Sequence, residues 1–385
     1  PCFRRGTSAG ERVLRLYRSG ALFIRTGASR LGISLRAARG ERAAGLRELP
    51  GFPVAAGGRL AGAPLVLGSG SSAVAVLTLA GGRVVAMPLA GGSGGKEAAE
   101  AKLDGDAWLL AAEDEKGSPF VWALTRQGTV YRLDAKLEHL RPFPIAASSR
   151  PSSPPALAPS AAGAPGLAFG SKGGGIVIVS PGGEERRIEL AGENALLSPP
   201  AFGGGMIAAY PKAFDGRLYL LGPDGSVMQG WPVPAGGIAF GSPLFAAGAA
   251  GSDAVAFLTQ AGELSLRGID GAFLPGFPLA LGGSFRAAPT ARAPAADGGA
   301  SLYAIDAEGL VLGVSASGAV VAERREEGLR GGEASLEVAR PYGDGREVLF
   351  AAGSGDGLYA FATDLEPLPG FPAKGAWLPA LADID

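Results

Sequence analysis

Leu274-Pro275-Gly276-Phe277-Pro278 is the stretch on which the reading of this chain turns, because it occurs three times. The same five residue types stand at Leu49-Pro50-Gly51-Phe52-Pro53 and at Leu368-Pro369-Gly370-Phe371-Pro372. Looser copies are Arg141-Pro142-Phe143-Pro144 and Gln229-Gly230-Trp231-Pro232. Self-similarity at a fixed period is the mark of a repeat architecture.

Working outward from each ending, a glycine followed by an alternating apolar run lies upstream. Gly82, Gly128, Gly175, Gly216, Gly262, Gly309 and Gly357 follow one another at steps of 46, 47, 41, 46, 47 and 48 residues. Gly20, followed by Ala21-Leu22-Phe23, is read as an eighth copy, at a longer step of 62. A third marker keeps the same phase: Ser153-Pro154, Ser198-Pro199, Ser242-Pro243, Ala288-Pro289 and Leu378-Pro379 each introduce a short apolar segment.

Each unit reads as four short strands. The Pro-marked segment is the first, a run such as Ala254 to Leu258 the second, and the glycine turn leads into the third. The fourth leads into the Gly-Phe-Pro ending. Glycine tolerates positive φ in a hairpin turn. Proline donates no ladder hydrogen bond, so it belongs at strand starts or on an outer edge that must not pair further. The aromatics Phe52, Phe143, Trp231, Phe277 and Phe371 are expected to pack between neighbouring units. Four strands in about 40–50 residues describe a propeller blade. The chain is therefore expected to be an all-β β-propeller of four-stranded blades, eight in number with seven as the alternative. It is read as one domain over residues 1–385. Residues 1–53 carry the later parts of a blade and the C-terminal residues only the first-strand marker, so 373–385 are expected to complete that blade and close the ring.

Composition agrees with many turns around an apolar interior: hydrophobic residues make up 47% of the 385 residues, charged residues 18%, and there are 64 Gly and 30 Pro. Disordered chains are instead rich in charge and poor in aliphatics. The net charge of −1 gives no reason to expect nucleic acid. Eleven Arg within residues 1–48, against Glu11, Glu41 and Glu48, mark that segment as the place for any peripheral membrane contact. The lone Cys2 excludes an intrachain disulfide, and because Pro1 precedes it, it is not read as a lipid anchor. No apolar run reaches the ~18–20 residues of a membrane-spanning helix. The expected state is a monomer.

The single histidine, His139, lies in the linker to a Phe-Pro ending and is read as a surface or packing residue, so catalytic triads and histidine-rich metal sites are not expected, sites built only from carboxylates excepted. Residues 90–97 fail as a phosphate loop because Ala90 replaces the leading glycine and Glu97 follows Lys96. Residues 94–103 have helical composition and are expected to form a short helix on one face. The Pro/Ala/Ser stretch at 146–165 is a second candidate binding loop, since loops carry function on such scaffolds.

The unit Gly357-Leu358-Tyr359-Ala360-Phe361, Leu368-Pro369-Gly370-Phe371-Pro372 and the Ser-Pro marker together resemble FG-GAP/VCBS-type and PQQ-like β-propeller repeats over nearly the whole chain. The FG-GAP resemblance implies a calcium loop of closely spaced aspartates, of which Asp383 and Asp385 are the remnant. Asp344 and Asp297 stand alone in the corresponding places, and one carboxylate cannot supply the 6–8 oxygens that calcium takes. No other cofactor is expected. The four tryptophans, Trp108, Trp122, Trp231 and Trp377, share no repeat position, which argues against the docking pattern of PQQ-dependent dehydrogenases. The resemblance implies an extracytoplasmic, non-catalytic scaffold that binds a protein or glycan through one face. Its alternatives are an outer-membrane assembly scaffold like the PQQ-like lipoproteins, and a quinoprotein or polysaccharide-lyase-type enzyme with a central-funnel site.

Overall fold

A computed structural model describes residues 19–26, 30–39, 42–43, 47–48, 54–55, 57–68, 72–89, 99–160, 163–190, 195–211, 216–248, 251, 253–294, 298–331, 335–340, 345–353, 357–374 and 381–383, with side chains between 57 and 373. The strands form seven four-stranded antiparallel sheets and one larger sheet at the termini. The chain is an all-β propeller, and among the described residues helical structure is limited to short 3-10 turns such as Glu327–Leu329. No helix among the described residues is long and apolar enough to cross a membrane.

The terminal sheet comes first in chain order and takes the number 1, ahead of the seven four-stranded blades numbered 2 to 8. Its strands Ser19–Thr26 and Arg30–Arg39 pair with each other, and Leu381–Asp383 joins the first of them, with Phe23 opposite Leu381. Blade 2 is Leu65–Leu67, Val74–Leu79, Arg83–Pro88 and Ala99–Lys102; blade 3 is Ala107–Glu113, Pro119–Thr125, Thr129–Asp134 and Ile145–Ala146. Blade 4 is Ala156–Ala158, Gly166–Gly170, Ile176–Val179 and Glu185–Ile188; blade 5 is Ala201–Gly203, Met206–Ala209, Arg217–Leu221 and Val233–Pro234. Blade 6 is Leu244–Ala247, Asp253–Leu258, Glu263–Gly268 and Leu279–Ala280. Blade 7 is Thr290–Ala291, Ala300–Ile305, Leu310–Ser315 and Val320–Arg325; blade 8 is Ser335–Ala339, Val348–Ala352, Gly357–Phe361 and Ala373–Lys374. Inner strands of successive blades from 2 to 8 touch one another.

The middle strands are apolar on both faces because each blade is covered on both sides. Side chains on a strand alternate between faces. In blade 3, Val121 and Ala123 pack with Val76 and Val84 of blade 2, whereas Phe120, Trp122 and Leu124 pack with Leu167 and Phe169 of blade 4. Each seam from blades 2/3 to blades 7/8 is filled in this manner. The repeated aromatics take part as expected: Phe143, Trp231 and Phe277 lie in the seams ahead of blades 4, 6 and 7, and Phe371 packs on the core of blade 8. Phe52 lies outside the described residues.

The Gly-Phe-Pro ending sits differently from the reading above: it precedes the outer strand rather than following it. In blade 6 the third strand pairs first with Phe273 through Arg267, then with Leu279 and Ala280 through Leu264 and Glu263. Residues 274–278 loop out between these two contacts. Blades 3, 5 and 8 repeat the interruption, with Leu133–His139, Leu221–Val227 and Phe361–Pro367 as the first contacts. Blades 2, 4 and 7 lack the ending and carry outer strands of four to six residues.

Three further expectations are corrected. Gly20 stands inside a strand, paired with Ala37, so it is no hairpin turn. Residues 99–102 form the outer strand of blade 2 rather than part of a helix, and 94–98 lie outside the described residues. There Ala99 and Ala101 turn inward while Glu100 and Lys102 are exposed, and pairing with Arg83–Pro88 overrides the helical propensity. Ala373 and Lys374 complete blade 8, so among the described residues of the range assigned to it the terminal sheet takes Leu381–Asp383.

Candidate functional site

Antiparallel four-stranded blades put two kinds of loop at the same end: the turn between the second and third strands, and the connection into the next blade. In blade 6 the two are joined by hydrogen bonds. Gln260 N donates to Ile238 O at 2.6 Å, and Phe285 N donates to Gln260 O at 2.9 Å. Three exposed apolar side chains gather on this face, with Leu197 at 54%, Ile238 at 53% and Phe240 at 51% of full exposure. Leu197 and Phe240 help line a cleft of about 150 Å³, together with Ser198, Tyr210 and Ala239, and Ile238 is the chain neighbour of Ala239.

Leu197 and Ser198 come from the connection between blades 4 and 5. Ala239 and Phe240 come from the connection between blades 5 and 6, and Tyr210 follows the second strand of blade 5. The Tyr210 ring leans on Phe257, with centroids 4.7 Å apart, and its hydroxyl donates to Gly237 O at 3.2 Å. The wall of the cleft is thereby fixed.

Comparison with the preceding blade explains the opening. The bridges Pro151–Ser171 and Leu196–Pro211 occupy the same place in blades 4 and 5, so Ser153 corresponds to Ser198 and Gly170 to Tyr210. Ser153 Oγ accepts a hydrogen bond from Gly170 N at 2.8 Å and donates to Pro154 O at 2.9 Å. A side chain on Gly170 would meet Leu196, Ser152 and Ser153. Blade 5 has a tyrosine at that position, and Ser198, only 6% exposed, has an Oγ with no hydrogen-bond partner. Such a buried hydroxyl costs about 1–3 kcal/mol until something pairs with it.

Elsewhere among the described residues, several aromatic and polar groups bond within the fold. His139 meets Tyr131 edge-on at 5.5 Å on an outer edge. Trp122 Nε1 donates to Pro165 O at 3.1 Å and Trp231 Nε1 to Ile269 O at 2.9 Å. Arg126 covers one face of Trp108 at 3.4 Å, and burial holds that guanidinium below its usual value. Aspartates cap turns: Asp114 accepts from Lys116 N and Ser118 N, and those backbone bonds, chiefly from Ser118, hold its carboxyl below the ordinary range. Asp306 accepts from Glu308 N and Leu310 N. Among the described residues no three His, Cys, Asp or Glu side chains gather as a metal would require. The backbone of Asp383 pairs with Ala21, but its side chain, Asp385, Cys2, Asp297 and Asp344 lie outside the described residues, as do the side chains of the Arg-rich segment.

The cleft was not among the sequence candidates. Ser198-Pro199 was read only as a strand marker, and Leu197 and Phe240 stand just before two such markers. The available signal was large apolar residues where blade 4 has Ser152 and Pro151.

No protein-family model and no curated protein matches the sequence. Solved structures do match the fold. The chain is similar to BamB from Moraxella catarrhalis, with 18% identity, TM-score 0.54, and coverage of 89% of this chain and 93% of that one. It is similar to BBS1N, solved in complex with ARL6DN, with 14% identity, TM-score 0.53, and coverage of 77% and 90%. The computationally designed Ika8 protein matches with 12% identity, TM-score 0.52, and coverage of 91% and 95%.

Proposed function

We propose that this chain is a non-catalytic, extracytoplasmic propeller scaffold that holds a protein partner against the face bearing the cleft. The observation that carries the reading is the cleft lined by the exposed Leu197 and Phe240, with exposed Ile238 beside Ala239 in the same connection. Contiguous exposed apolar surface on a soluble fold marks an interaction site. A similarly folded chain, BBS1N, is itself seen in complex with another protein. An assembly role at an outer membrane, of the kind implied by the resemblance to PQQ-like lipoproteins, is the narrower form of this reading.

The test compares capture of a defined membrane complex by the wild-type chain and by surface variants. Leu197→Asp and Phe240→Asp are expected to lose the partner. Val320→Asp, on an outer edge away from this face, is expected to keep it. Equal retention by all three would overturn the reading, and turnover of a sugar polymer or a quinone-linked alcohol by the wild-type chain would replace scaffold with enzyme.

A further inference from the structure

We infer that the outer edge of blade 7 is a second docking surface, separate from the cleft, and that it takes an extended segment of a partner protein as an added antiparallel strand, with a lysine or arginine of that segment opposite Glu323.

The seven four-stranded blades close their outer edges in different ways. In blades 3, 5, 6 and 8 the outer strand is two residues long, and a proline-bearing loop precedes it. In blades 2 and 4 it has four residues, and its charged side chains are tied back to the protein. Glu100 pairs with Arg83 and Lys102 donates to Gly81 O; Glu185 accepts from Ser148 N, Arg186 donates to Pro223 O, and Arg187 donates to the carbonyls of Gly173 and Gly174. The outer strand of blade 7, Val320–Arg325, is the longest of the seven at six residues, contains no proline, and exposes Val320 and Val321.

Pairing fixes which backbone groups are free. Glu326 N donates to Gly309 O at 2.9 Å, and Arg324 and Ala322 stand opposite Val311 and Gly313. Hydrogen-bonded and non-bonded pairs alternate along an antiparallel ladder. Ala322 and Arg324 therefore turn their backbone groups inward, and Glu323 and Arg325 turn theirs outward. Toward the hairpin, Ser315 N donates to Ala319 O at 2.8 Å, which turns Val320 outward as well, and the register shift beside Gly313 leaves Val321 as the bulged residue. No strand of the sheet lies beyond this one. A row of outward N–H and C=O groups is the template for an added strand.

Charge selects the occupant. Arg324 pairs with Glu326 at 2.8 Å, Arg330 holds Glu327 at 2.9 Å and approaches Glu308 at 3.8 Å, and Arg325 Nη1 donates to Glu308 O at 3.1 Å. Glu323 is exposed and has no partner among the described residues. A cation directly opposite it on an added strand is favourable. A second copy of this chain does not fit. Two-fold antiparallel pairing centred on residue 323, 324 or 325 sets Glu323, Arg324 or Arg325 against its own copy, and centring on Ala322 makes the bulged Val321 pair with Glu323. Val320 and Glu323 share a face, since they stand opposite Val314 and Leu312 of the core shared with blade 6. An apolar residue two positions after the cation therefore runs toward Val320.

The probe is a fluorescein-labelled, capped heptapeptide of threonines with lysine at the fourth position and valine at the sixth, titrated against the full chain by fluorescence anisotropy. N-methylation of its second and fourth residues, whose N–H groups face the edge, is expected to weaken binding about tenfold, the weight of two hydrogen bonds. N-methylation of the third and fifth residues, whose N–H groups point away, should leave it. Glu323→Pro removes an outward N–H and no inward one, as an edge strand tolerates, and should abolish binding. Glu323→Lys should weaken it about threefold, and exchanging the peptide's lysine for glutamate should restore it. Equal binding of the two N-methylated peptides overturns the inference, as does undiminished binding to both Glu323 variants or no binding at millimolar concentration. A dimer of the unliganded chain in sedimentation, dissociated by Glu323→Pro, would give the edge to a second copy and overturn it too. The cleft is scored separately: Leu197 and Phe240 are intact in these variants, so loss of peptide binding and loss of partner capture are independent results.

Discussion

The two seams of blade 7 are built in opposite ways. Toward blade 6 the join is an aromatic and a backbone clasp. Phe277 is buried among Leu302, Leu312 and Val314, and Gly276 lies so close to Ser317 and Gly318 that a side chain on it would collide with the Ser317 carbonyl. Toward blade 8, where blade 7 offers no Gly-Phe-Pro ending, polar side chains cross the seam. Arg292 Nε pairs with Glu347, Arg340 Nη2 holds the same carboxylate at 2.9 Å, and Tyr303 Oη donates to Thr363 O at 2.7 Å. The seam between blades 5 and 6 follows the clasped pattern, with Gly230 against Asp270. That between blades 4 and 5 follows the polar one, with Arg186 Nη1 donating to Pro223 O at 2.8 Å. The seam between blades 7 and 8 keeps an apolar filling but adds an ion pair that salt and pH can disturb, whereas the polar contacts of the clasped seam between blades 5 and 6 are hydrogen bonds to backbone carbonyls, such as Arg267 Nη2 to Pro234 O at 3.3 Å.

The largest break should come from the clasp. Phe277→Ala empties a buried site and is expected to destabilise the chain by about 3–5 kcal/mol in chemical denaturation, equally at low and high salt. A salt-dependent loss would show that the clasped seam is not the purely apolar joint described.

On the polar seam, Glu347→Gln should cost about 2 kcal/mol, the weight of hydrogen bonds to charged groups, and should change the acid limb of stability. Burial pushes the Glu347 carboxyl up, but hydrogen bonds and charge from Arg340 and Arg292 outweigh it and hold the value below the ordinary range. The stability it contributes is therefore complete above the unfolded-state pKa and is lost as pH falls through the depressed folded value. The glutamine variant should lack that loss. An unchanged acid limb between pH 5 and the acid transition would remove Glu347 from the account.

The smallest effect sharpens the comparison. Tyr303→Phe keeps the buried ring and deletes one cross-blade hydrogen bond, so about 1 kcal/mol is expected. A melting midpoint indistinguishable from wild type would mean that the ring alone holds this seam.

The features that repeat were the ones legible beforehand. Gly262 and Gly309 sit in hairpin turns at φ 86° and 78°, where added side chains would strike the backbones of Gly282 and Glu326. Such positions impose glycine, so their spacing shows through the sequence. Gly20 was misread because a glycine before apolar residues looks the same inside a strand as before one. Residues 99–102 were misread because Ala, Glu and Lys favour helices locally, while the alternation that declares a strand spans only four positions.

The sequence alone determined the blade unit, its repetition and the apolar seams, since backbone geometry and period-2 burial act within one unit and recur in each. Tertiary structure alone decided where the cleft opens. Leu197, Ser198, Tyr210, Ala239 and Phe240 come from two connections and one strand end, and only blade stacking brings them together. Ser198 Oγ has no partner where Ser153 Oγ in the preceding blade accepts from the Gly170 N–H, and with Tyr210 standing in place of that glycine the difference leaves no periodic trace in the sequence.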